Sequence, residues 1–300
     1  MTLARKSFGK INLLLNILGK RPDGFHELET ILQPVGIFDE LVFEKLPRQV
    51  TLTCNNPLLP TDASNLVVRA AEKFFASSRI DAGIRIHLEK RLPLAAGLGG
   101  GSSNAATTLS VLNEIFGCPL TPDQLQTAAA ALGSDVPFFL QNQPALATGR
   151  GERVQPLDFF SALENTAMIL VHPGFGIATP WAYRQLDHFP SAQNGRPGRA
   201  LELVSILRTG TLAAAGKEFY NALESPALKK FPLLVLFQDF FRDHGAAATL
   251  MSGSGSTTFA IFSGAPDAER ALEKFHEKFG PSSWTALVAH SPREMTRTAR

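Results

Sequence analysis

The residues best suited to chemistry lie in one stretch, Pro93-Leu94-Ala95-Ala96-Gly97-Leu98-Gly99-Gly100-Gly101-Ser102-Ser103-Asn104-Ala105-Ala106. Four glycines fall within five residues, followed by two serines and a run with helical spacing: Ala105, Ala106, Leu109, Leu112, Ile115 and Phe116. The spacing predicts a helix that Gly117 stops. Glycines let a backbone approach a phosphate closely. Unpaired N–H groups and the helix dipole at such a terminus favour negative charge, so the stretch reads as an anion site. One terminus contributes only about 0.3–2 kcal/mol, so other groups must share the binding. No Lys follows the glycines as the P-loop requires, and Ser102 stands where the dinucleotide pattern needs its third glycine. There is no His-Glu-x-x-His, no cysteine pair of metal-binding spacing and no Gly-x-Ser-x-Gly elbow.

Several elements must position this loop. Ile84, Ile86 and Leu88 predict the strand that leads into it, and the pair Lys90-Arg91 precedes it. Residues 10–18 predict a strand with Ile11, Leu13, Leu15 and Ile17 on one face. Lys10 and Asn12 lie side by side on the other, the pattern of a half-solvated edge strand. A turn at Gly19–Gly24 carries the chain to Phe25-His26-Glu27. Short strands are predicted at 41–46 and 50–54, and a helix from Asn65 to about Arg79, with Asn65 a natural N-cap. Thr121-Pro122-Asp123-Gln124 has the form of a capping box, and Gly133 ends that helix. Asp135 then sits between a helix end and the apolar Val136-Pro137-Phe138-Phe139, where a local capping role is one reading. Beyond 150, strands are predicted at 167–172, 258–262 and 284–289. Helices are predicted around 199–208, 211–220 and 228–243 and from Pro266 to about Phe279, with an exposed loop at 188–198. A second glycine loop, Ser252-Gly253-Ser254-Gly255-Ser256-Thr257, precedes the 258–262 strand and could be a simple hairpin.

The glycine stretch resembles the ATP-binding motif of the GHMP small-molecule kinases. The triple glycine before Ser-Ser-Asn-Ala-Ala is the form of the branch whose acceptor is a cytidine-diphosphate-linked methylerythritol. Lys10-Ile-Asn12, Arg21-Pro-Asp-Gly-Phe-His-Glu27, Asp39-Glu40, Ser134-Asp135-Val-Pro137, Asn221-Ala-Leu-Glu224 and the second glycine loop resemble further segments of that branch. The resemblance implies an α/β (α+β) fold of two domains, 1–155 carrying the ATP site and 156–300 the C-terminal half. It implies Lys10 and Asp135 as catalytic groups and Pro93 to Ser103 as the ATP cradle, with Asn65 near the adenine. It also implies Asn12, Phe25, His26, Thr179 and Tyr183 as the acceptor pocket. The branch usually has Tyr where Phe25 stands; Phe keeps a stacking face and loses the hydroxyl. ATP and Mg²⁺ are implied, with a hydroxyl of Ser102 or Ser103 on the metal. The implied reaction phosphorylates the 2-hydroxyl of the acceptor on the non-mevalonate route to isoprenoids. Another GHMP kinase, for homoserine, mevalonate or a sugar, and a non-catalytic nucleotide-binding regulator are the alternatives.

Bulk properties agree with a small-molecule enzyme. The 300 residues are 44% hydrophobic, enough for a sizeable core, and 22 Phe against two Trp and two Tyr point to core filling. A net charge of +2 from 29 basic and 27 acidic residues is no nucleic-acid footprint. Two cysteines, Cys54 and Cys118, form no disulfide framework, which fits a reducing cytoplasm. The first residues alternate polar with apolar and do not read as a signal peptide, and no apolar run reaches the ~18 residues of a membrane span. The expected partner is a small molecule, with neither nucleic acid nor membrane, and the chain is expected to be a monomer or homodimer.

Overall fold

A computed structural model describes residues 2–141, 143–281 and 283–289. In chain order its elements begin with β1 (Thr2–Lys20), β2 (His26–Leu46), β3 (Val50–Cys54), α1 (Leu66–Ser78), β4 (Gly83–Glu89), α2 (Gly100–Ile115) and α3 (Pro122–Leu132). Next come β5 (Ala145–Gly149), β6 (Arg153–Pro156), β7 (Ala167–His172), α4 (Thr179–Gln185), α5 (Pro190–Gln193), α6 (Arg199–Thr209) and α7 (Leu212–Gly216). The last are β8 (Tyr220–Asn221), α8 (Glu224–Lys230), α9 (Pro232–Asp243), β9 (Ala248–Met251), β10 (Thr258–Phe262), α10 (Ala265–Phe279) and β11 (Trp284–Ala289).

The first sheet runs β3-β4-β2-β1-β8, with β5 on the early part of β2 and β6 on β5. β1 and β2 form a long antiparallel ribbon whose register shifts between Asn12 and Leu14. Such a bulge bends a strand and re-aims its side chains. β1 is not the half-solvated edge strand that its alternation predicts. β2 and β8 flank it, and both of its faces are buried: Ile11, Leu13 and Leu14 enter one core, and Lys10 and Asn12, joined by Leu15 beyond the bulge, lie on the other side. The second sheet is the antiparallel β11-β7-β10-β9. A core including Ile11, Leu13, Ile31, Phe160, Leu170 and Phe259 joins the two sheets. α9 and α10 cover the other face of the second sheet through Phe237, Phe241 and Phe275, so much of the abundant Phe is core. No described helix is long and apolar enough to cross a membrane.

Three expectations for the second half change. The helix expected at 211–220 stops at Gly216, because Tyr220 and Asn221 extend the first sheet in parallel beside Leu14 and Leu15. The helix expected at 228–243 splits at Phe231-Pro232, since Pro supplies no amide to continue the ladder. The 188–198 segment is not a free loop. It contains α5, and it is tied to β1 by Gly195 N donating to Ile17 O (2.7 Å) and Asn16 Nδ2 donating to Arg196 O (2.8 Å). The arginines of the tail, Arg293, Arg297 and Arg300, lie outside the described residues.

Candidate active site

The glycine stretch folds as its sequence predicts. Gly99 takes φ +69° as the N-cap of α2, and the amides of Gly97 to Ser102 find no protein acceptor among the described residues. They form the open N-terminal nest that an anion requires. Ser103 departs from expectation. Its amide donates to Gly99 O (2.9 Å), and its buried hydroxyl accepts from Ser7 Oγ (2.7 Å), so Ser102 is the serine that faces the cavity.

Lys10 reaches this loop from β1. Its buried ammonium donates to Asn12 Oδ1 (2.7 Å) and Gly97 O (2.8 Å) and stands 3.9 Å from Asp135 Oδ2. Burial lowers its pKa, and the charge of Asp135 opposes that shift. Asp135 lies between α3 and a single 3₁₀ turn, Pro137–Leu140, and its side chain is 43% exposed. At 3.9 Å the two charges fall short of a hydrogen bond, so both remain open to a third group between them. Asn12 Nδ2 donates to Thr30 Oγ1 (2.9 Å), and Thr30 in turn bonds Leu14 O. With both ends of its amide engaged, Asn12 is arranged to hold Lys10.

The second glycine loop is indeed a hairpin, joining antiparallel β9 and β10, and its tip docks on the first loop. Ser252 Oγ donates to Gly97 O (2.9 Å), and Thr257 N donates to Ala96 O (3.2 Å). Asn221 Nδ2 donates to Met251 O and Gly253 O, both at 2.7 Å, and Glu224 accepts from Met251 N (2.8 Å). Burial pushes the Glu224 carboxyl up, against the pull of Met251 N and Gln238 Nε2, which both donate to it.

A buried knot anchors the entrance of the first loop. Asp39 accepts from Lys90 Nζ (2.5 Å), Arg91 N (2.8 Å), Leu92 N (2.9 Å) and Asn104 Nδ2 (3.0 Å). Sequence reasoning gave Asp39 and Ser7 no role. The available signal was a strand carboxylate and a Lys-Arg pair immediately before the loop.

One cavity of about 550 Å³ connects these groups. Leu59, Asn65, Leu66, Leu88 and Lys90 line it beside the loop. Leu15, Leu28, Thr30, Arg150, Ile177, Thr179 and Tyr183 line it beyond Lys10 and Asp135. Asn65 also caps α1, accepting from Val67 N (2.9 Å), so its capping role is realised alongside its place in the cavity. Thr179 Oγ1 is 2.8 Å from Ser254 Oγ. The Tyr183 ring lies 5.2 Å from that of His26, and burial pushes its hydroxyl pKa up, with Asp135 adding to the shift.

Of the site residues expected from sequence, Pro93 to Ser102, Lys10, Asn12, Asn65, Asp135, Thr179 and Tyr183 share this cavity. Phe25, His26 and Ser103 do not line it. Phe25 is 51% exposed under the Arg150 guanidinium, 4.5 Å away, and His26 is buried behind Tyr183. The His26 pKa is lowered by burial and by Lys20, with Asp187 opposing, so the ring is neutral at pH 7.

Comparisons with known proteins agree with this geometry. Residues 65–143 match the GHMP kinases N terminal domain family and residues 203–281 the GHMP kinases C terminal family. The 4-diphosphocytidyl-2-C-methyl-D-erythritol kinase of Syntrophus aciditrophicus (strain SB) is 39% identical over 94% of this chain and 96% of its own. That of Synechococcus sp. (strain JA-3-3Ab) is 38% identical over 90% and 88%. A crystal structure of 4-(cytidine 5'-diphospho)-2C-methyl-D-erythritol kinase superposes with a TM-score of 0.77 at 32% identity, covering 96% of this chain and 100% of that one. A homoserine kinase from Cytophaga hutchinsonii superposes with a TM-score of 0.75 at 19% identity, covering 96% and 94%, and shares the fold. The chain belongs to the GHMP kinases, in the family of the 4-diphosphocytidyl-2-C-methyl-D-erythritol kinases.

Proposed function

We propose that the chain transfers the γ-phosphoryl group of ATP to the 2-hydroxyl of 4-diphosphocytidyl-2-C-methyl-D-erythritol, a step of the non-mevalonate isoprenoid route. The products are ADP and the 2-phosphate. The observation that carries this reading is the placement of Lys10 and Asp135, 3.9 Å apart, between an anion-binding helix terminus and a second compartment of one cavity. Residues 1–155 are taken as the ATP-binding domain and 156–300 as the second domain.

Phosphoryl transfer asks a protein mainly to position groups and stabilise charge. The free amides from Gly97 to Ser102 and the dipole of α2 hold the phosphates. Asn65 and the apolar Leu59, Leu66 and Leu88 form the wall for the adenine. Asp135 accepts the proton of the acceptor hydroxyl as its oxygen bonds to the γ-phosphorus, and the bond to the bridging β-oxygen breaks to release ADP. Lys10 orients that hydroxyl and offsets the charge on the transferred group. Asn12 and Gly97 O hold the ammonium in place. The Ser102 hydroxyl, facing the phosphate end, suits a hard cation that needs oxygen ligands. Mg²⁺ held there with ATP would supply neutralisation of phosphate charge. Thr179 and Tyr183, backed by neutral His26, line the compartment for the cytidine part.

The test is ADP production from MgATP with the methylerythritol compound, against CDP, mevalonate, homoserine and galactose. Turnover with the methylerythritol compound alone is expected. Preferential turnover of another alcohol would overturn the acceptor assignment.

A further inference from the structure

Three basic side chains line the cavity among the described residues: Lys10, Lys90 and Arg150. Two are committed. Lys10 is held by Asn12, Gly97 O and Asp135 at the reacting centre. Lys90 is ion-paired with the fully buried Asp39 beside the start of α2. Arg150 stands at the acceptor end, in the turn between β5 and β6. Its backbone is pinned, because its amide donates to Glu152 Oε2 (2.6 Å) and the preceding Gly149 takes φ +73°. Its guanidinium carbon lies 4.5 Å above the Phe25 ring. Asp23 and Glu152 are the carboxylates that feel its charge, and it forms an ion pair with neither among the described residues.

This arrangement leaves a cation with spare donors at the compartment assigned to a diphosphate ester. A guanidinium stacked on a ring uses its face and keeps the N–H groups at its edge, which match two phosphate oxygens at once. We propose that Arg150 binds the diphosphate of the acceptor substrate, with the Phe25 ring as the platform that holds the guanidinium in place. The assignment rests on the acceptor reading above and gives Phe25 a task that needs no hydroxyl.

The test is calorimetric titration of cytidine and CDP onto the wild-type chain, Arg150→Met and Arg150→Lys, with a non-hydrolysable ATP analogue filling the nucleotide end. Wild-type protein is expected to bind CDP more tightly than cytidine. Arg150→Met should lose CDP affinity by about ten- to a hundredfold, the scale of a lost charge-assisted contact, with cytidine affinity unchanged. Arg150→Lys should recover only part, because an ammonium does not reproduce the fork. In turnover, Arg150→Met should raise KM for the acceptor while kcat and KM for ATP stay near wild type. An unchanged CDP-over-cytidine preference in Arg150→Met, or an equal loss for both ligands, would overturn the role of Arg150. If the wild-type chain bound neither ligand, the acceptor reading itself would fall, and the Arg150 assignment with it.

Discussion

Gly97→Ala tests the joint between the two glycine loops. Gly97 takes φ +77°, which costs an L-residue about 1–2 kcal/mol. A Cβ there would also stand 2.0 Å from Ser252 O, where ordinary contact begins at 3.4 Å, so the loops must part by roughly the difference, about 1.4 Å. That displacement breaks the bonds from Ser252 Oγ to Gly97 O and from Thr257 N to Ala96 O, each contributing about 0.5–1.5 kcal/mol. The expected destabilisation is therefore about 2–5 kcal/mol. Turnover should fall further, because Lys10 Nζ bonds the same Gly97 carbonyl, and a misplacement of about 1 Å can cost a hundredfold in rate. Gly245→Ala is the control: φ is +91° there, and nothing lies within 4 Å of an added Cβ, so only the backbone cost remains. Chemical denaturation and steady-state ADP production measure both variants. If Gly97→Ala lost no more stability than Gly245→Ala and kept its turnover, the reasoning about the joint would be refuted.

Other perturbations probe separate parts of the site. Asp39→Asn leaves the buried Lys90 ammonium without its counter-charge and should destabilise by about 3–5 kcal/mol in denaturant titration. Asn12→Ala frees the Lys10 ammonium from one of its two hydrogen bonds and should lower kcat at least tenfold with the dissociation constant for ATP nearly unchanged. The Lys10 pKa lies below the 10.5 of an exposed lysine, so kcat should fall on the alkaline side earlier than an exposed lysine would dictate, as the ammonium loses its proton. His26 has a folded pKa below 6.5; acceptor binding should hold steady above that pH and weaken only as the ring protonates below it. The same sign applies to folding: the neutral ring is favoured in the fold, so its contribution is complete above pH 6.5 and is lost as pH falls through the lowered pKa.

What could be read from the sequence followed the range of the interactions. The glycine loop, the α2 start and the Thr121 capping box are written within a few residues, and each appears as expected. The approach of Lys10 to Asp135 spans 125 positions and was visible only through resemblance to a family, since no local pattern encodes it. β8 is two residues long, too short for periodicity, and its place beside Leu14 depends on the whole sheet. The alternation of β1 suggested one wet face, because Lys10, Asn12 and Asn16 are polar. The fold buries them by giving each a partner, from Gly97 O to Glu29. Ser103 looked like its neighbour Ser102, but the turn of α2 points one hydroxyl at Ser7 and leaves the other at the cavity.

The most direct measurement of the central claim is the turnover of Asp135→Asn set beside its affinity for ATP. Asn is nearly isosteric and cannot accept the proton, and Asp135 makes no hydrogen bond to the glycine loop among the described residues. Turnover should fall by about 10²–10⁴ with nucleotide affinity retained. Near-normal turnover would contradict the account, because the carboxylate facing Lys10 would then not be the group that takes the proton.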